Sequence, residues 1–286
     1  MPELPEVETV RRGLAPVLEG HRLSRVEMRR PDLRFPFPEG FVQRLAGARV
    51  TALRRRAKYL LADLDRGETL IAHLGMSGRF RIEGAVEGAP GRFHRAAGED
   101  PRHDHVVLET EAGVRIVYHD PRRFGFMGLA STETLDRHPW FAAMGPEPLS
   151  DAFGGGRLAE AFRDRRQGPK TLLLDQRTVA GLGNIYVCEA LHEARICPFR
   201  PAGRVSRARL EGLALAVRGV LERAIAAGGS TLRDFSAADG ALGYFQHSFR
   251  AYDREGEACP NPGCAGVIRR RVQAGRSTFW CPSCQR

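Results

Sequence analysis

The clearest chemistry in the sequence lies in four cysteines. Cys259 and Cys264 enclose four residues, Cys281 and Cys284 enclose two, and sixteen residues separate the pairs. Two thiolate pairs set on tight turns suit a tetrahedral zinc ion, with Zn–S bonds of about 2.3 Å. Pro260, Pro262, Gly263 and Pro282 supply turn chemistry. No histidine or carboxylate falls among the ligands, so the expected metal is one structural Zn2+ that stabilises a segment too small for a core of its own. The stretch between the pairs carries Arg269, Arg270, Arg271 and Arg276, a display suited to phosphate contact. Cys188 and Cys197 have no partner at ligand spacing and read as ordinary buried thiols.

The N-terminal segment offers a different chemistry. Removal of Met1 would expose the secondary amine of Pro2. An α-amino group has a pKa of about 7.7–8.0, so a useful neutral fraction exists at physiological pH, whereas a lysine needs a large shift. A neutral amine attacks an aldehyde-like carbon and forms an iminium, which acts as an electron sink. Glu3 and Glu6 lie beside it, and either could move protons or hold the amine. Further along, Asn184 follows Gly181-Leu182-Gly183 at an expected helix start, where free N–H groups and the dipole favour a phosphate.

These groups need elements to hold them. Val7, Val10, Leu14, Val17 and Leu18 recur at helical spacing, and Gly20 marks the stop. From about residue 22 to 130, β-rich stretches alternate with Gly, Pro and Asp turns: Leu23–Met28, Ala48–Leu53, Tyr59–Leu64, Thr69–Leu74, Gly78–Ile82, His105–Glu109, Val114–Tyr118 and Phe126–Leu129. That texture predicts an antiparallel sandwich or barrel-like domain. Gly84–Pro101 reads as a mobile surface loop. Short helices are expected near Ser131–His138, Gly156–Arg165, Lys170–Leu174 and Asn184–Glu193, and a long one over Ser206–Ala227 with Ser206 as N-cap and Gly228-Gly229 as stop.

Composition sets the class. The 286 residues are enough for two or three domains. Hydrophobic residues make up 42% and charged residues 27%, an ordinary globular balance. Lys+Arg number 44 against 34 Asp+Glu, a net charge of +10. The only lysines are Lys58 and Lys170, so the positive charge is almost all arginine, the better residue for bidentate phosphate and base-edge contact. No apolar run approaches the ~20 residues of a membrane span. The acidic, proline-broken start is not a signal or transit peptide. A cytoplasmic protein with nucleic acid as its partner, and no membrane, is expected.

Six segments, in order, strengthen this reading: Pro2-Glu3-Leu4-Pro5-Glu6-Val7-Glu8-Thr9-Val10, Arg56-Ala57-Lys58-Tyr59-Leu60, His73-Leu74-Gly75-Met76-Ser77-Gly78, Asp120-Pro121-Arg122-Arg123-Phe124-Gly125, Gly181-Leu182-Gly183-Asn184-Ile185-Tyr186, and Arg276-Ser277-Thr278-Phe279-Trp280-Cys281. Together they resemble the formamidopyrimidine-DNA glycosylases, bacterial repair enzymes that excise oxidised purines. The resemblance runs through nearly the whole chain. It implies an α+β multidomain fold: an N-terminal helix with an antiparallel β-sandwich (residues 1–130), a helical domain with a helix–two-turn–helix (131–240) and a four-cysteine zinc finger (241–286). It implies that Pro2 is the nucleophile on the sugar C1′, and that Glu3 opens the sugar ring or protonates its oxygen. Lys58, on the family's catalytic-lysine strand, would donate a proton or clamp a phosphate during β-elimination. Arg276 would assist δ-elimination and grip the phosphate at the lesion. His73, His103, Arg122, Arg165 and Asn184 would contact DNA.

Chemistry on a base needs that base out of the stack. Met76 and Phe124, apolar residues on glycine-flanked loops, are suited to wedge into the gap, with Arg122 donating to the orphaned base. Core packing is the competing reading of both apolar residues, and for His103 and His105 it is a surface or strand histidine. His138 and His192 receive no role. Segments Gly229–Phe235 and Asp239–Phe245 resemble the family's loop over the everted purine. With Leu4, that loop favours the oxidised-purine branch over the endonuclease VIII branch, which acts on oxidised pyrimidines. The long Gly84–Pro101 loop and the scarcity of lysine depart from the family pattern and bear on secondary phosphate contacts. The expected enzyme is a monomeric glycosylase and abasic-site lyase acting on damaged double-stranded DNA, without an organic cofactor. A non-catalytic damage-binding protein is the rival from another class, and it would have no use for Pro2, Glu3 and Lys58.

Overall fold

The structure is a computed structural model that describes residues 2–83, 100–230 and 243–286. Its first helix, α1 (Leu4–Leu18), has Pro5 in its opening turn. The Glu6 carboxylate accepts the Glu3 backbone N–H at 2.8 Å, closing the helix start. The five apolar residues at helical spacing are all buried. Gly20, at φ 79°, turns the chain out of the helix in the left-handed region that glycine adopts without strain.

After α1 come β1 (Leu23–Met28), α2 (Phe41–Leu45), β2 (Val50–Arg56), β3 (Tyr59–Leu64), β4 (Glu68–His73), β5 (Arg79–Glu83), β6 (Asp104–Thr110), β7 (Arg115–His119) and β8 (Phe126–Ser131). They form two antiparallel four-stranded sheets, ordered β1-β6-β7-β5 and β2-β3-β4-β8. Both sheets and α1 contribute to one apolar core, in which Val10 and Leu14 join Leu53, Leu60, Val106 and Ile116. This is the sandwich the strand texture predicts. Arg56 pairs with Tyr59, so Ala57 and Lys58 form the tip of the β2–β3 hairpin. Lys58 thus stands on a turn and not within a strand, and Ala57 takes φ 52° to make it.

The chain divides into two compact units, Met1–Ala142 with Gly228–Tyr244, and Ala143–Ala227 with Phe245–Arg286. The second contains α3 (Gly155–Phe162), α4 (Pro169–Leu174), α5 (Asn184–Glu193), α6 (Arg207–Ala226) and the hairpin of β9 (Arg269–Gln273) and β10 (Arg276–Trp280). Within it α6 packs on α3 and α5, burying Leu213, Val217 and Leu221. Ser206 occupies the N-cap position of α6, but its side chain makes no cap bond. The helix expected over Ser131–His138 is a single 3-10 turn, Leu135–Arg137. Pro139 disfavours helical backbone at the residue before it, and His138 is extended at ψ 139°. Cys188 is buried as expected, whereas Cys197 is only half-buried. The loop read over Gly84–Pro101 falls outside the described residues up to position 99, and the two loop segments after Gly229 fall outside them over 231–242. No helix among the described residues is long and apolar enough to cross a membrane.

Candidate active site and metal centre

Pro2 is buried at the start of α1, directly ahead of Glu3, which is also buried. The two nearby carboxyl groups are not equivalent. Glu6 is 2% exposed. Its Oε2 accepts the Glu3 N–H at 2.8 Å, while Oε1 accepts the Ser230 N–H at 2.8 Å and its hydroxyl at 3.0 Å. Glu6 is therefore engaged in holding the backbone on either side of it, a role that the local sequence did not distinguish from proton transfer.

Lys58 is buried at its hairpin tip, near His73 at the end of β4. Burial, the Lys58 ammonium and the Arg34 guanidinium together push the His73 imidazole down to about 4. The ring is neutral at physiological pH. Its Nδ1 accepts the Gly75 N–H at 3.0 Å, which leaves Nε2 as the protonated nitrogen, able to donate. The ring stacks on Phe126, centroids 4.9 Å apart and planes 11° apart.

Two short loops follow at the ends of β4 and β7. Met76 is 37% exposed and Phe124 43% exposed, so neither is a core residue. Arg122 is exposed and lies over the Phe124 ring at 4.8 Å. His103 is half-buried, edge-on to His119 at 5.8 Å. His105 is buried, with Nε2 at 2.9 Å from the Asp120 carbonyl, which fits the strand-histidine reading.

The second unit assembles another group. Asn184 opens α5, and its Nδ2 donates to the Ser277 carbonyl at 3.0 Å. Its Oδ1 is buried without a partner. Lys170, to which no sequence motif assigns a role, is 1% exposed and donates to the same Ser277 carbonyl and to Thr278 Oγ1, both at 2.8 Å. These bonds hold the beginning of β10, where exposed Arg276 stands next to Ser277. A lysine in an apolar helix of an arginine-rich chain was the signal available for it. Arg165 is not part of this group. It is exposed and lines a separate cavity of about 570 Å³ with Arg157, Glu160, Asp175 and Arg177.

The four cysteine Sγ atoms lie within 4.8 Å of one another. Cys259–Cys284 and Cys264–Cys281 are 3.7 and 3.6 Å apart. A tetrahedron with 2.3 Å bonds has edges of about 3.8 Å, so the donor set fits a closed four-coordinate metal site. Outer hydrogen bonds surround it: Asn261 Nδ2 donates to Cys284 Sγ at 3.3 Å and the Gly266 N–H to Cys264 Sγ at 3.4 Å. His192 Nε2 lies 3.2 Å from Cys259 Sγ, a contact from α5 that sequence spacing could not reveal. Glu189, also on α5, accepts the backbone N–H groups of Arg250, Ala251 and Tyr252 at 2.7–2.9 Å, anchoring the segment that leads to the cysteines.

A sandwich headed by a buried proline, joined in one chain to a helical unit with four clustered cysteines, has counterparts among known proteins. Residues 1–127 match the family model described as the formamidopyrimidine-DNA glycosylase N-terminal domain, and residues 144–236 match that of its H2TH domain. A formamidopyrimidine-DNA glycosylase of Phenylobacterium zucineum is 71% identical over 289 residues, covering 100% of both chains. The crystal structure of the MutM (Fpg) protein of Thermus thermophilus aligns with a TM-score of 0.84 at 40% identity, covering 99% of this chain and 98% of that one. Wild-type Lactococcus lactis Fpg (MutM), solved with DNA containing N7-benzyl-Fapy-dG, aligns with a TM-score of 0.85 at 33% identity over the whole of both chains. The chain belongs to the formamidopyrimidine-DNA glycosylase family.

Proposed function

We propose that the chain is a DNA glycosylase and abasic-site lyase that removes oxidised purines from duplex DNA, with Pro2 as its nucleophile. The observation that carries this reading is the fixed start of α1, where buried Pro2 precedes Glu3 and the Glu3 backbone is held by Glu6. After Met1 is removed, the Pro2 nitrogen attacks the sugar C1′. The glycosidic bond breaks, its electron pair leaves with the base, and the base takes up the proton that the Pro2 nitrogen sheds. Glu3 protonates the ring oxygen as the sugar opens, and the nitrogen lone pair completes the iminium. Loss of a C2′ proton then expels the 3′ phosphate, and a second elimination expels the 5′ phosphate. Lys58 donates a proton or holds phosphate during the first elimination, and Arg276 grips phosphate during the second.

Met76 and Phe124 fill the space left by the everted nucleotide, and Arg122 donates to the orphaned base. His73, through Nε2–H, and Asn184 contact phosphate. His103 and Arg165 add contacts further along the duplex. Residues 1–130 carry the chemistry, 131–240 the helix–two-turn–helix and 241–286 the metal module. The ion at the four cysteines is zinc, which stabilises the hairpin bearing Arg276 and takes no part in bond making. The chain acts as a monomer in the cytoplasm, on the DNA it repairs. The choice of purines rests on the relatives, among them the Lactococcus lactis protein solved with a Fapy-dG derivative and with abasic DNA.

Borohydride trapping tests the reading. With Met1 confirmed absent by mass, an 8-oxoguanine:cytosine duplex should yield a covalent adduct that maps to Pro2. No adduct on that duplex, on oxidised pyrimidines or on a plain abasic site would leave a binding protein in its place.

A further inference from the structure

The loops that carry Met76 and Phe124 make the same journey in opposite directions. Residues 74–78 run from β4 in one sheet to β5 in the other, and residues 120–125 run from β7 in the second sheet back to β8 in the first. Because β4 pairs with β8 and β5 pairs with β7, both crossovers lie side by side at one end of the sandwich. A buried carboxylate lies beneath them. Asp120 is 0% exposed. Its Oδ1 accepts the Ser77 hydroxyl at 2.6 Å, and its Oδ2 accepts the Gly125 N–H at 2.8 Å. The Ser77 oxygen in turn accepts the Arg122 N–H at 3.2 Å. The backbones also touch: a Cβ on Gly75, which sits at φ +62°, would lie 2.3 Å from the Phe124 carbonyl carbon.

We propose that Asp120 and Ser77 are positioning residues that join the two loops into one preassembled wedge, so that Met76, Arg122 and Phe124 enter the duplex together. The inference rests on the wedge reading given above and deepens it. A buried carboxylate binds donors with charge-assisted bonds, about twice as strong as neutral ones. Here those donors come from both loops, so neither loop can shift without leaving a buried polar group unpaired. The hydroxyl of Ser77 is the bridge. It gives its proton to one loop's carboxylate and accepts the N–H of Arg122, the residue that would meet the orphaned base. Exposed Met76 and Phe124 thus stand on a rigid footing already formed without DNA, which lowers the ordering cost of insertion.

The test uses the full-length, zinc-loaded protein and compares cleavage of an 8-oxoguanine duplex with cleavage of a single-stranded abasic oligonucleotide, which has no stack to enter. Met76→Ala, Phe124→Ala and the double variant are measured in the wild-type and Ser77→Ala backgrounds. In the wild type, the second of the two truncations should cost at most about a third of what it costs alone, because half a unit is already defective. In Ser77→Ala, the duplex-to-single-strand ratio of kcat/KM should fall about tenfold, discrimination between cytosine and adenine opposite the lesion should narrow, and the two truncations should become additive. Asp120→Asn serves as the second variant if Ser77→Ala does not fold, with far-ultraviolet circular dichroism as the check. A folded variant that keeps the ratio within twofold and the non-additivity intact overturns the inference. If Met76→Ala and Phe124→Ala leave duplex cleavage unchanged in the wild type, the wedge reading itself fails, and the inference falls with it.

Discussion

Glu6→Gln is the most informative single change at the candidate nucleophile. Among the described residues the carboxylate accepts the Glu3 N–H on one oxygen and the Ser230 N–H and hydroxyl on the other. A glutamine has one acceptor oxygen and one NH2. If the oxygen faces Ser230, the NH2 faces the Glu3 N–H, and a buried backbone donor loses its partner. That costs about 1–3 kcal/mol, and the two surviving bonds lose their charge assistance. A total of about 2–3 kcal/mol corresponds to a fall in melting temperature of roughly 5–10 °C for a unit of this size. Activity should suffer more, because Pro2 is attached directly to the released backbone. A misplacement of about 1 Å at a reacting centre costs about 100-fold. The assay is the single-turnover rate of borohydride trapping on an 8-oxoguanine duplex, read beside the melting curve. A variant that melts within 2 °C of wild type (roughly 1 kcal/mol or less) and traps at the wild-type rate refutes the anchoring argument. One that melts normally but releases no base shows Glu6 to be a proton carrier and displaces Glu3 from that role.

Acid should weaken the fold through His73, whose folded value of about 4 lies below its ordinary 6.5. The unfolded chain takes up this proton as pH falls through 6.5 while the folded chain refuses it until about 4, so stability is lost across that window, approaching about 3 kcal/mol. Urea denaturation of wild type and His73→Gln at pH 7.5 and 4.5 measures it, and parallel losses in the two proteins would exclude His73 as the source. Lys170→Met preserves bulk but removes both bonds under Ser277 and Thr278, and should weaken duplex binding about tenfold, or about 1.4 kcal/mol, by fluorescence anisotropy. Unchanged affinity would mean that β10 holds Arg276 without it. Chelation should release one zinc per chain, and His192→Phe, which removes the imidazole beside Cys259, should speed that release about tenfold or more in a colorimetric chelator assay. Release at the wild-type rate would leave the imidazole without influence on the metal.

What was legible in the sequence was what repeats locally. The helical spacing from Val7 to Leu18, the strand texture up to Phe126 and the cysteine pairs each follow from a period or a gap that a few residues display, and the structure contains all of them. Where a local rule was outvoted, the cause is specific. Pro139 stopped a helix before His138, and an alanine at φ 52° made the turn that presents Lys58 without any Gly, Asn or Asp to announce it. The bonds that arm the candidate site are of another kind. Glu6 meets Ser230 across 224 positions, Lys170 meets Ser277 across 107 and Ser77 meets Asp120 across 43. No pattern in a window of residues encodes such a pair, because each partner is satisfied by whatever the fold brings to it. Glu6 looks like a second acid for proton transfer until Ser230 arrives, and Asp120 looks like a turn residue until Ser77 does. Candidate reactive residues can therefore be proposed from short motifs, while the residues that hold them in place emerge only once distant segments are brought into contact. Those hidden pairs are where substitution will separate a protein that merely binds damaged DNA from one that cuts it.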